Sequence, residues 1–127
     1  MKNVTSRITL NMARINQLER AKVRALEQTA EAIHTDLVQS QTMPFATGNL
    51  QNESTFVDTS NSNRGSVDIV SSTPYARRLY FHPEYNFRTD ENPNAGGEWF
   101  ETYLAGGEKQ NFAKKAFGAL YKKEAGV

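Results

Sequence analysis

The chain has no cysteine, which excludes disulfides and thiolate metal sites and fits a reducing compartment. It has almost no charge excess: fifteen Lys and Arg stand against fourteen Asp and Glu, a formal +1. A dedicated nucleic-acid binder would carry a strong basic surplus. No run approaches the roughly 18 apolar residues of a membrane span. The start, Met1-Lys2-Asn3-Val4-Thr5-Ser6-Arg7, lacks the apolar stretch of a secretory signal, so a soluble protein made in the cytosol is expected. Neither Gly nor Pro occurs between residues 12 and 41. At 127 residues the chain is expected to form one domain with one modest core.

What is present is organised in five stretches. Residues 1–11 read as an arm or a short strand, with Ile8 and Leu10 on one side. Residues 12–41 predict a long amphipathic helix. Asn11 is placed to accept from the free N–H groups of the first turn, and Ile15, Leu18, Leu26, Ile33 and Leu37 recur at helical spacing, with Ala25 and Ala30 between them. Residues 42–72 predict a turn and a hairpin, with arms at 54–58 and 66–71 and turn chemistry at 59–65. Pro44 and Gly48 are expected to turn the chain out of the helix. Residues 73–104 predict a short helix, capped by Thr73 with Pro74 at its first position, and then a long aromatic-rich loop. Residues 107–124 predict a C-terminal helix with lysines in its last turn, where they complement the helix dipole. The expected class is α+β, with the long helix on a small, mostly antiparallel sheet.

The chemistry-bearing residues are sparse. His82 and Glu84, with Asp90 or Glu98, could form a mixed oxygen–nitrogen site, but His34 lies far along the chain and no metal-binding spacing is present. There is no nucleophile elbow, and Ser71, Ser72 and Thr73 read as a strand end and a helix cap. Asp90-Glu91 falls in a hydrophilic turn, where solvation leaves an acid–base pair without a shifted pKa. Asn94-Ala95-Gly96-Gly97 lacks the Lys and Ser/Thr of a phosphate loop, so Gly96 and Gly97 are assigned to a tight turn. No catalytic residue, metal ligand or cofactor is assigned.

The aromatic-rich loop is the informative part. Tyr80, Phe81, Tyr85, Phe87, Trp99 and Phe100 stand among Asn, Pro and Gly, with Arg77 and Arg78 just before. Aromatics bury large areas, and Arg and aromatics are enriched at interface cores. These eight residues are the expected contact surface for a neighbouring subunit or partner. Arg77, Arg78 and the lysines of the last helix also allow non-specific contact with DNA, diluted by the nearby acids.

The turn Pro44-Phe45-Ala46-Thr47-Gly48-Asn49-Leu50, the element Pro74-Tyr75-Ala76, and the run from Tyr75 to Phe87 followed by Asn92-Pro93-Asn94-Ala95-Gly96-Gly97 together resemble a known group. The chain looks like the minor capsid, tail-completion or head–tail connector (neck) proteins of long-tailed bacteriophages and prophages of Gram-positive bacteria. The likeness spans about residues 10–122; the Thr-Gly-x-Leu turn is its weaker part and the 75–100 block its more specific one. It implies an α+β fold, a structural role and no enzymatic activity. Pro44, Thr47, Gly48, Leu50, Gly96 and Gly97 would then be structural turn residues. The resemblance further implies self-assembly into a hexameric or dodecameric ring in the virion, in contact with a connector or stopper and with tail-terminator or tail-tube proteins. DNA would pass through the lumen, and no membrane would be involved. Such a protein resides at the head–tail junction, and in the host cytoplasm during assembly. A tail-terminator or stopper ring is the nearest alternative. A small DNA-binding or regulatory module, and a metal-dependent enzyme using His82, are the alternatives from other classes.

Overall fold

The computed structural model describes residues 3–44 and 55–126. Thr47, Gly48 and Leu50, the centre of the expected turn, lie outside the described residues. The fold is α+β: a long N-terminal helix packs on a two-stranded antiparallel sheet, and a C-terminal helix lies alongside.

Helix α1 spans Met12–Gln39, 28 residues, or about 42 Å at the usual rise. Asn11 caps it as its sequence predicts, its Oδ1 accepting from the Arg14 backbone N–H at 3.1 Å. The helix stops before Pro44 is reached. Ser40 closes it, and Gln41 turns the chain away at φ 57°.

Helix α3 spans Phe112–Ala125 and runs antiparallel to α1. Its last carbonyl, on Ala125, accepts from the Arg14 guanidinium at 3.0 Å, near the start of α1. Glu124 accepts from Gln28 Nε2 at 3.2 Å. Lys109, just before α3, reaches Asp36 near the end of α1 at 2.7 Å. The cation of Arg14 at the C-terminal end of α3 answers that helix's dipole. Residues 107–111 were expected to be helical but form a bend and turns. The Lys109 N–H bonds to the Thr102 carbonyl at 2.8 Å, which fixes the chain before a helix can start.

The stripe of α1 that faces α3 has small residues at its centre and long polar ones at its ends. Arg14, Ala21, Ala25 and Gln28 recur at helical spacing on one stripe, and the outer two are bonded to α3. Ala21 and Ala25 are buried at 3% and 0% exposure, and side chains this small permit close approach of the helix axes. The larger residues Ile15, Leu18, Leu26 and Ile33, expected to lead the buried face, are only half-buried.

Strands β1 (Thr55–Asp58) and β2 (Asp68–Ser71) form the sheet. Their register pairs Thr55 with Ser71 and Asp58 with Asp68. Thr55 Oγ1 and Ser71 Oγ share a hydrogen bond of 2.8 Å on the core side. The tip is a 3-10 turn at Ser62–Arg64, closed by Gly65 at φ 88°, where the missing Cβ permits the left-handed turn. The arm over residues 3–10 forms no strand and stands exposed.

Asp36 joins three elements. Its Oδ2 accepts from the Tyr103 hydroxyl at 2.6 Å and from Lys109 Nζ at 2.7 Å. Burial works against its charge, but the bonds from Lys109 and Tyr103 and the lysine's charge outweigh it and hold the carboxyl below its ordinary value of 3.8. The sign follows from linkage. A carboxyl with a depressed folded pKa stabilises above its unfolded pKa and loses that contribution as pH falls through the folded value. Thermal melts should therefore show a stability loss beginning near pH 3.8. Asp36→Asn should reduce stability at neutral pH by about 1–2 kcal/mol and flatten this acid limb. An unchanged limb in the variant would remove Asp36 from that role.

Candidate interaction face

Helix α2 spans Ala76–Tyr80, five residues. Thr73 and Pro74 were expected to open it, but they form the turn before it, where the Thr73 carbonyl accepts from the Ala76 N–H at 3.1 Å. The Thr73 hydroxyl is buried and caps nothing, because Tyr75 occupies the cap position.

The short helix divides the aromatic segment in two. Ala76, Leu79 and Tyr80 face inward, where Leu37, Met43, Ala76 and Trp99 form the buried cluster. Tyr80, Phe100 and Tyr103 pack against that cluster. Tyr80 and Trp99 meet edge to face, with ring centroids 4.9 Å apart. The Trp99 N–H donates to Ser71 Oγ at 3.3 Å. The Tyr80 hydroxyl donates to Glu101 at 2.9 Å. Burial and then that bond push the Tyr80 phenol well above its ordinary range. Three of the expected contact residues, Tyr80, Trp99 and Phe100, therefore belong to the chain's own core. Trp99 at 3% exposure has no surface to offer a partner.

The 92–97 loop is tied to the end of α1, which is why Trp99 is held inside. Asn92 Nδ2 donates to the Met43 carbonyl at 2.8 Å and Asn94 Nδ2 to the Ser40 carbonyl at 3.1 Å. The Gly96 N–H bonds to the Thr42 carbonyl at 3.0 Å. The two glycines differ in need. A Cβ on Gly97 would lie 2.8 Å from the Leu79 carbonyl and 2.9 Å from the Tyr80 carbonyl, whereas one on Gly96 would meet nothing within 4 Å. The positive φ at this turn falls on Glu98, at 52°. Gly97→Ala should cost about 1–3 kcal/mol and Gly96→Ala should be neutral or slightly stabilising. Chemical denaturation of the two variants reads this difference, and equal midpoints would contradict the close approach.

The other half of the segment faces outward. Phe81 is 63% exposed and Tyr75 44%. Arg77 and Arg78 are exposed, Tyr85 is exposed, and Phe87 is half-buried. A shallow apolar depression of about 210 Å³ is lined by Ala76, Arg77, Tyr80, Phe81, Trp99 and Phe100. A second, of about 410 Å³, is lined by Pro74, Arg77, Arg78, Phe81 and His82. Arg77 and Phe81 stand between the two and line both. Arg77 has no ion pair or side-chain hydrogen bond among the described residues. Arg78 is engaged, its Nε donating to the Tyr85 hydroxyl at 3.3 Å.

His82 sits at the edge of this face. Its ring stacks on Tyr85 with centroids 4.7 Å apart, and its Nδ1 is 2.7 Å from Glu84. That hydrogen bond lowers the Glu84 pKa. Asp90 pairs with Arg88 instead of joining His82. Among the described residues no three His, Asp or Glu gather as metal ligands. Tyr75, Pro74 and His82 are the members of the face that were not assigned to it from sequence. The available signal was helical spacing, since Phe81 follows Arg77 by four and Arg78 by three.

Among the described residues no helix is long and apolar enough to cross a membrane. Comparison of the chain with protein families, curated proteins and solved structures finds no match.

Proposed function

We propose that this chain is a structural protein of the bacteriophage neck, a tail-completion or head–tail joining component that assembles as a ring between the capsid connector and the tail tube. The observation that carries the reading is the outward face of α2, where Phe81 and Arg77, the latter unpaired among the described residues, border two open depressions and Tyr75 stands exposed nearby. Exposed aromatics beside an unpaired guanidinium are the composition of an interface centre. A ring contact is heterologous, so this face would meet a different patch on the next copy or on the adjoining ring. The resemblance of residues 75–100 to neck proteins supplies the biological setting, and ring number and axial position follow from the partner.

The role proposed is assembly rather than catalysis. The near-neutral charge favours it over a DNA-binding module, since phosphate contacts need clustered cations. The test is negative-stain microscopy of particles from a host whose copy of the gene is deleted. Filled heads and tails lying apart, joined again by added purified protein, are expected. Normally joined particles in the deletion strain would overturn the reading.

A further inference from the structure

The hairpin and the N-terminal arm are complementary, and among the described residues no backbone hydrogen bond or ion pair joins them. Strand alternation puts Thr55, Val57, Ile69 and Ser71 on the core face of the sheet and Phe56, Val70, Asp58 and Asp68 on the outer face. The outer face thus places two carboxylates directly opposite each other, an arrangement that destabilises a ladder. No cation pairs with either among the described residues. No backbone hydrogen bond reaches β2 from outside the hairpin among those residues either. A sheet of two strands is marginal alone, and an open edge accepts a further strand.

The arm has the matching chemistry. Residues 1–13 include Lys2 and Arg7 and no acid. Val4, Ile8 and Leu10 are 100%, 86% and 63% exposed, so the arm leaves its apolar side unused on its own subunit. In an extended strand Ile8 and Leu10 share one face, and Thr5, Arg7 and Thr9 the other.

We infer that the arm of one copy adds as a third strand to the free edge of β2 in a second copy, with Arg7 opposite Asp68 and in line with Asp58 beyond it. Ile8 and Leu10 then continue the apolar core face beside Ile69, while Arg7 and Thr9 lie on the outer face. The arm projects from the far end of a helix about 42 Å long, which suits reach to a neighbour. The inference rests on the ring reading only in requiring neighbouring copies. A neck protein with other contacts would still restore joining without this one, so the two tests fail separately.

The absence of cysteine makes the test direct. Full-length Val70→Cys protein is mixed with Thr9→Cys or Thr5→Cys protein and oxidised. A parallel arm brings Thr9 to Val70, and an antiparallel one brings Thr5 there. One of the two mixtures should give heterodimer about tenfold faster than a control pairing with Ala119→Cys, on the exposed side of α3. Arg7→Glu in the arm-bearing chain should lower the yield severalfold, and Asp58→Arg with Asp68→Arg in the other chain should restore it. Circular dichroism checks that each variant is folded. Rates equal to the control in both mixtures would overturn the inference. So would a doubly substituted chain that closes on itself faster than two chains combine, since the arm would then belong to its own hairpin.

Discussion

Trp99→Ala should lower the stability of the isolated chain by about 3–5 kcal/mol. The side chain is 3% exposed, meets Leu37, Met43 and Ala76 in the buried cluster, and lies edge to face with Tyr80. It also ties two elements together through its N–H bond to Ser71, whose hydroxyl is shared with Thr55. Truncation leaves a cavity and the Ser71 hydroxyl without its indole donor. A domain of this size holds about 5–15 kcal/mol in total, so the loss corresponds to a fall in melting temperature of roughly 10–20 °C. Trp99→Phe keeps most of the volume and should cost about 1–2 kcal/mol, chiefly the lost hydrogen bond. The two melts should rank in that order. A Trp99→Ala protein that melts like the parent would place the indole outside the core and return it to the list of contact residues.

The same residue shows what the sequence could and could not say. A lone Trp beside Gly96-Gly97 announces a side chain that must pack, but packing against its own domain or a neighbour reads identically in one dimension. The decision lies in three tertiary bonds, from Asn92, Asn94 and Gly96 to the end of α1, between residues about 50 positions apart. The long helix was legible because its signal is local: Asn11 at the cap, helical spacing, and no Gly or Pro. The hairpin was legible for the same reason, from the polar turn at 59–65. The alanine seam was not. Leu and Ile dominate a periodicity count, while the closest contact between two helices selects the smallest side chains, and that choice depends on α3, about a hundred positions away. The Thr73 cap failed because a turn held by its own carbonyl is as local as a cap and competes with it. The face at Arg77, Arg78 and Phe81 was named from composition, and helical spacing alone would have separated it from Ala76, Leu79 and Tyr80.

Phe81→Asp should do the opposite of Trp99→Ala: leave the fold and remove the function. Phe81 is 63% exposed and its ring lies beside Tyr80 without entering the buried cluster. Substitution there should change stability by no more than about 0.5 kcal/mol. In the ring reading it removes an aromatic anchor and sets a carboxylate between two depressions, at every copy. Central interface anchors are worth about 2 kcal/mol or more each, close to thirtyfold in affinity. Repetition around a closed ring compounds that loss, so the yield of joined particles in a complementation assay should fall by at least about a hundredfold. Arg77→Glu should act in the same direction, since that guanidinium has no partner among the described residues to keep it occupied. Arg78→Ala should weaken joining less, because Arg78 is already held by Tyr85. This ordering separates a contact surface from a merely exposed one. Phe81→Asp particles that join normally would show that the face is unused. An unfolded Phe81→Asp protein would show that the ring supports the domain, and the partner would then have to be sought on another surface.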